Sequence, residues 1–171
     1  MRSRPTIGRS DVLAVLAAGR DLHSGSAPWT LKFIDLADAE SGGAWHQREL
    51  DATELLRIVL PPHAGEPCKG DRLTLVEHGG ETVARVAARL QSMAAGYARD
   101  NPSCWGRINT AAAAPFSAII LTMRPLDTDE HRHLPIREGA LYHLDGFHRL
   151  LGWAMAGRLT DGARVHAYIA G

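Results

Sequence analysis

Asp145, Gly146, Phe147, His148 and Arg149 stand where an apolar, strand-like run, "ALYHL", passes into an apolar, helix-like run, "LLGWAMAG". An acid, a glycine, an imidazole and a guanidinium at a helix start suit anion chemistry. The first backbone N–H groups of a helix have no intrahelical partner. Aligned peptide dipoles add partial positive charge there, and a phosphate meets both needs. Gly146 would shape the turn and let a phosphate approach the backbone. Arg149 would make a forked contact to phosphate oxygens, and His148 would donate a hydrogen bond or move a proton. Asp145 would cap the helix, orient His148 or Arg149, or hold the metal that accompanies a nucleotide. The plain alternative is an Asp-Gly helix cap with a solvated His-Arg pair. The apolar runs on both sides favour a helix start fixed by a packed core, and rigid elements make better sites.

Three other constellations bear on chemistry. His143 and Asp145, two apart on a strand, would share one face and offer a His-x-Asp metal pair, with His166 as the one further downstream histidine besides His148. "DEHRH" (129–133) is dense in ligand types and is expected as a solvated turn or a loop closing over substrate. "SCWGR" (103–107) offers an aromatic face and a guanidinium; a buried Trp105 and a surface Arg107 are the expectation. Cys104 as a nucleophile needs an environment that lowers its pKa. Cys104 and Cys68 form no CxxC pair and no zinc-type spacing, so reduced thiols are expected.

The elements that must position these residues follow from periodicity. Residues 1–9 are expected as a flexible arm, and Ser10 as the cap of a short helix ending near Gly19. "TLKFIDL" (30–36) reads as a strand buried partly on both sides. Asp51 with Glu54 makes a capping box for a helix stopped by Pro61-Pro62. "DRLTLVE" (71–77) reads as a strand. Val83, Val86, Leu90, Met93 and Tyr97 repeat at helical spacing and predict a long amphipathic helix ended by Pro102. Residues 101–115 read as irregular or weakly helical, and "FSAIILTMR" (116–124) as a buried strand. "LPIREGALYHLDG" should hold one or two strands, "FHRLLGWAMAG" a helix stopped by Gly157, and "ARVHAYIAG" a last strand. The mixed order argues a single α+β domain over residues 10–171, with a mixed β-sheet flanked by helices.

Composition bounds the function classes. The 171 residues are 45% hydrophobic and 22% charged, with zero formal net charge. No bulk basic excess points to nucleic acid or a membrane surface, and no apolar run approaches the roughly 20 residues that span a bilayer. The N-terminus lacks a continuous signal-peptide core, so a cytoplasmic location is expected. Arginine far outnumbers lysine, which is found only at Lys32 and Lys69. With the alanine and glycine richness this suggests a GC-rich genome, so no arginine stands out by type alone.

The run from Phe116 to Gly171, "FSAIILTMR", "ALYHLDGFHRLLGWAMAG" and "ARVHAYIAG", resembles the core of the ParB/sulfiredoxin-like superfamily. The resemblance covers roughly the last third of the chain. It implies phosphate contacts for Gly146, Phe147, His148 and Arg149 at a nucleotide site, with Asp145 in support. Phe147 stands where sulfiredoxins carry their cysteine, which argues against sulfinic-acid repair. The sequence ends soon after the motif, which argues against partition-type DNA clamping. The free-serine kinase branch, with Asp-Gly-His-His-Arg, differs only at Phe147. Its glutamate base is placed by no motif here, whether at Glu40, Glu49 or Glu54. The resemblance therefore implies an ATP- or ADP-dependent phosphotransferase acting on a small metabolite with Mg2+. His148 and Asp145 would be its catalytic residues and Asp145 its metal ligand. Bacterial secondary metabolism is the expected setting. The expected partners are a small-molecule substrate, the nucleotide and, as an option, a second copy of the chain. The alternatives are a non-catalytic nucleotide-binding regulator and a metal-dependent enzyme built on His143 and Asp145.

Overall fold

The computed structural model describes residues 7–18, 27–63 and 79–171. Cys68 and the strand expected at 71–77 lie outside these residues. The chain is an α+β domain with a mixed six-stranded sheet. Its elements are α1 (Arg9–Ala17), α2 (Ala27–Glu40), β1 (Trp45–Asp51), α3 (Ala52–Arg57), β2 (Val59–Leu60), β3 (Glu81–Thr82), α4 (Val83–Asp100), α5 (Pro102–Ala113), β4 (Ile119–Thr122), β5 (Tyr142–Asp145), α6 (Phe147–Met155) and β6 (Arg164–Ala170). The sheet order is β1-β6-β4-β5-β2-β3. β4 runs parallel to β6 and β2 parallel to β5; the remaining neighbours are antiparallel. Among the described residues no helix is long and apolar enough to cross a membrane.

Two apolar layers sandwich the sheet. On one face, Val12 and Leu16 of α1 and Ile34 and Ala37 of α2 pack against Ile120 and Leu144. On the other, Leu90, Cys104, Ile108, Leu150, Leu151 and Trp153 of α4–α6 pack against Ile119, Leu121, Val165 and Ala167. Strand alternation produces this split, because adjacent side chains leave opposite faces.

Several segments differ from their sequence expectation. The helix expected to run to Pro61-Pro62 ends at Arg57, and Val59–Leu60 pair with β3 and β5 as strand β2. "TLKFIDL" lies inside α2 rather than a strand. Its alternation is an accident of a seven-residue window, and the longer run buries Thr30, Ile34 and Ala37 at helical spacing. β1, "WHQRELD", carried no apolar alternation; only Trp45 and Leu50 are fully buried. It is an edge strand held by seven register pairs to β6, and its polar residues suit an edge. Residues 102–113 form a regular helix, with Pro102 in its first turn and Cys104, Ile108 and Ala111 on the buried face. Met93 falls on a kink in α4 and is exposed, although the rest of that apolar stripe is buried. At the N-terminus, Ile7 is buried and bridges Trp45, and α1 starts after Gly8, so packing begins before Ser10. Asp11 accepts the Gly8 N–H bond at 2.9 Å and closes that helix end.

Candidate functional site

Parallel pairing of β2 with β5 places their C-terminal ends side by side. β2 continues through Pro61-Pro62 to His63, and β5 turns through Gly146 into α6, whose second residue is His148. α5 packs against α6 and brings Cys104 to the same place. Cys104 Sγ lies 3.6 Å from His63 Nε2 and 3.6 Å from His148 Nε2. Candidate ligand atoms of the three side chains all fall within 4.8 Å of one another. Cys104 is fully buried, while His63 and His148 are half-buried.

The spacing has a direct chemical reading. Zinc–thiolate and zinc–imidazole bonds are about 2.3 and 2.0–2.1 Å long. At the tetrahedral angle these lengths put sulfur and nitrogen about 3.6 Å apart. A thiol can donate its one hydrogen to one of the two converging imidazoles and accept an N–H from the other, both as weak hydrogen bonds. A thiolate shared with both rings through a metal uses both contacts at once.

The surrounding groups hold this arrangement. The His63 ring stacks on Phe147 at 3.9 Å between centroids and meets the His148 ring edge-on at 5.1 Å. Gly146 adopts φ +110°, and an added Cβ would sit 2.7 Å from Ile119 Cγ2, so the turn that launches α6 requires glycine. Arg149 folds back on the protein. It donates to Ser117 Oγ at 2.8 Å and to the Ala118 carbonyl at 2.6 Å, and it forms an ion pair with Asp145. Arg149 thus fastens the start of β4 to the start of α6.

Of the residues singled out in the sequence, His148 enters the His-Cys-His group and Phe147 forms its aromatic wall. Gly146 is packed against Ile119. Asp145 and Arg149 pair with each other. His166 is half-exposed beside Glu49 at 3.6 Å on β6, on the strand neighbouring edge strand β1, and does not join His143. The 129–133 turn exposes Asp129, Arg132 and His133 but buries His131, so it is only in part a solvated turn. His63 belongs to no motif in the sequence, and Cys104 stands in no zinc-type spacing there, so neither signals a shared site. The separations between His63, Cys104 and His148 match no local spacing rule.

Residues 29–171 match the model of the family described as "Family of unknown function (DUF6309)". The chain belongs to the DUF6309 family. The matched span contains His63, Cys104 and His148 and leaves α1 outside. No curated protein and no solved structure matches the chain.

Two histidines of this DUF6309 chain, His131 and His143, are buried. His143 on β5 is opposite Leu121 in register, which places it on the face covered by α4–α6. Its ring meets Phe147 edge-on at 5.8 Å, and among the described residues neither ring nitrogen has a hydrogen-bond partner. His131 accepts the Leu126 N–H bond at Nδ1, 3.2 Å, and stacks on Phe33. That leaves its ring proton on Nε2, which has no hydrogen-bond partner among the described residues. Burial pushes His131 down to about 4 and His143 down to about 3.

Both histidines are therefore neutral in the folded protein at neutral pH, while the unfolded chain takes up their protons below about pH 6.5. Their contribution to stability is complete above about pH 6.5 and is lost as pH falls toward about 4 and then 3, by up to about 1.4 kcal/mol per pH unit for each proton. Urea midpoints across this window should fall with acid, and His131→Leu should flatten part of the fall.

Arg149→Ala gives a second expectation. The Asp145 and Arg149 side chains are 11% and 22% exposed, so the variant takes the guanidinium away from a mostly buried carboxylate. The loss should be about 2 kcal/mol in urea denaturation. Because Arg149 is not in the His-Cys-His group, the Cys104 and His148 contact should survive in the folded variant.

Proposed function

We propose that this protein is a metal-dependent enzyme whose centre is a divalent transition metal, zinc for preference, held by His63, Cys104 and His148. The pair of 3.6 Å sulfur–nitrogen separations carries this reading, since they match the span of a tetrahedral His2Cys ion. Thiolate and imidazole ligands suit zinc better than magnesium, which takes oxygen ligands. His63 and His148 are each partly exposed, which supports a centre that a small molecule could reach from the β2/β5 end of the sheet. The layered core supports a fold that does not need the metal as its staple. In such a site the ion supplies Lewis-acid polarisation and an activated water. The protein's part is to fix the three ligands: α5 and α6 pack together to set Cys104 against His148, and Phe147 orients the His63 ring.

Nucleotide-dependent phosphoryl transfer is the second reading. The resemblance to the ParB/sulfiredoxin-like superfamily suggests it, and the absence of a side-chain cap at the α6 start favours it. The engagement of Arg149 with Asp145, Ser117 and Ala118 weighs against it.

Calorimetry on metal-stripped protein tests both. The expected result is uptake of about one Zn2+ per chain with Kd of roughly 1 µM or tighter, weakened at least about 100-fold by His148→Ala. Absence of saturable Zn2+ uptake, with ATP or ADP binding in the presence of Mg2+, would replace the first reading by the second.

A further inference from the structure

Away from the His-Cys-His group, the exposed apolar side chains Trp29, Met123 and Ile136 lie on separate segments, and His143 is enclosed in the core. The cleft between β2 and the 137–141 segment goes further. It lies where β2 and β5 begin, and there the Val59 N–H donates to the Leu141 carbonyl at 2.8 Å. His63 and His148 follow the opposite ends of the same two strands.

The cleft has a volume of about 390 Å³, within the roughly 300–1,000 Å³ of small-ligand sites. Its floor is apolar: Val59 is fully buried, and Ala140 and Leu141 are half-buried. Its rim is charged. Arg48, Arg57 and Arg137 against Glu54 and Glu138, three cations against two anions, leave the lining with one net positive charge. These charges are not equivalent. Both carboxylate oxygens of Glu54 are occupied, one by Arg48 and the other by the Asp51 N–H at 3.0 Å. Arg57, in the last turn of α3, has no hydrogen bond or ion pair among the described residues. Arg137 donates one guanidinium N–H to the Gly80 carbonyl at 3.4 Å and has no carboxylate partner among the described residues. Its backbone is held in place: the Arg137 N–H donates to Tyr142 Oη at 3.0 Å, and that hydroxyl donates to the Pro135 carbonyl at 2.8 Å. Many other arginines turn to the protein itself. Arg9, Arg89 and Arg149 pair with carboxylates, and Arg124, Arg158 and Arg164 donate to backbone carbonyls.

We infer that this cleft binds a small monocarboxylate with an apolar body, at a site separate from the metal centre. Arg57 and Arg137 supply the forked N–H donors that a carboxylate accepts. Val59, Ala140 and Leu141 supply the surface against which its apolar body leaves water. The net charge selects the ligand's charge. One carboxylate neutralises the lining, whereas a dianion would leave excess negative charge beside Glu54 and Glu138. The site goes beyond the metal-centre reading and does not rest on it.

The test is a titration of the full chain, free of metal, followed by amide 1H–15N chemical shifts. The probes are acetate, isovalerate and benzoate, with benzamide as the uncharged counterpart of benzoate and sulfate as a dianion. Isovalerate and benzoate should move the Thr82, Gly139 and Leu141 amides saturably, and acetate should bind more weakly because it has little apolar body. Benzamide should move none of them. Arg57→Gln and Arg137→Gln should each weaken benzoate binding at least about tenfold, with urea midpoints unchanged because both side chains are on exposed residues. Arg107→Gln, exposed on α5, should leave binding as it is. The inference is overturned if no carboxylate moves the cleft amides saturably, or if benzamide binds as well as benzoate. It is also overturned if neither cleft arginine matters, or if sulfate binds more tightly than benzoate. Metal-free protein keeps carboxylate–metal coordination out of the titration, so each of these results leaves the Zn2+ reading to its own test.

Discussion

Cys104→Ala should abolish the near-ultraviolet thiolate-to-cobalt band of the Co2+-loaded protein and weaken Zn2+ binding by more than about 100-fold. The loss exceeds the 10- to 100-fold typical of removing an outer-shell partner because a direct ligand goes. Cys104 is also the one anionic donor among the three, so the variant would leave a dication on two neutral imidazoles. The fold should survive. Cys104 is fully buried in the main apolar cluster, and shortening a side chain of this size costs on the order of 1 kcal/mol. Thermal unfolding of the metal-free variant therefore separates loss of the site from loss of the structure. Cys104→Ser keeps the volume but replaces the soft donor, and it should also lose the band. Cys68→Ser is the comparison: because the sequence holds two cysteines, a band that survives Cys104→Ala and disappears in Cys68→Ser would move the thiolate away from α5.

Much of the sheet and its helices could be read from the chain. The stripe of Val83, Val86, Leu90 and Tyr97 spans a long window, and α4 follows it. β4, β5, α6 and β6 appear in the expected order because apolar runs and Gly146 and Gly157 punctuate them. The failures have distinct physical causes. Seven residues of α2 alternate like a strand, and only the longer run shows that Thr30, Ile34 and Ala37 form one buried stripe. β1 is a strand because β6 pairs with it, and a polar edge strand leaves little periodic signal.

The candidate site was legible only at its α6 corner. His148 could be placed at a helix start because glycine and flanking apolar runs announce that turn. His63 is brought in by the parallel pairing of β2 with β5, and Cys104 by the packing of α5 on α6; both are tertiary events. Arg149 shows the opposite limit. Its type and position suit a phosphate, yet the fold joins it to Asp145, Ser117 and Ala118. A motif gives the chemistry a side chain is capable of, while its neighbours decide whether that capacity is directed inward or outward.

Gly152→Ala should be the most damaging conservative change in the α5–α6 pair, with a loss of about 3 kcal/mol and a fall in Tm of roughly 10 °C. On an isolated helix the same change stabilises by about 0.5–1 kcal/mol, because glycine is a poor helix former. Here the sign reverses. A Cβ at Gly152 would lie 2.5 Å from the Ile108 carbonyl oxygen and 2.7 Å from the Ala112 nitrogen. Both atoms are backbone of α5, so no rotamer change relieves the overlap and the helices must move apart. That shift acts on the site, since α5 carries Cys104 and α6 carries His148 at 3.6 Å. Zn2+ affinity measured well below the Tm should therefore fall at least about tenfold, a loss of roughly 1.4 kcal/mol, although Gly152 touches no ligand. Gly106→Ala, also on α5, is the control: its Cβ would meet nothing within 4 Å, so it should stabilise the helix slightly and leave Zn2+ binding unchanged. A Gly152→Ala protein as stable as wild type would mean that α5 and α6 do not approach this closely. The separation on which the proposed metal centre rests would lose its structural basis with it.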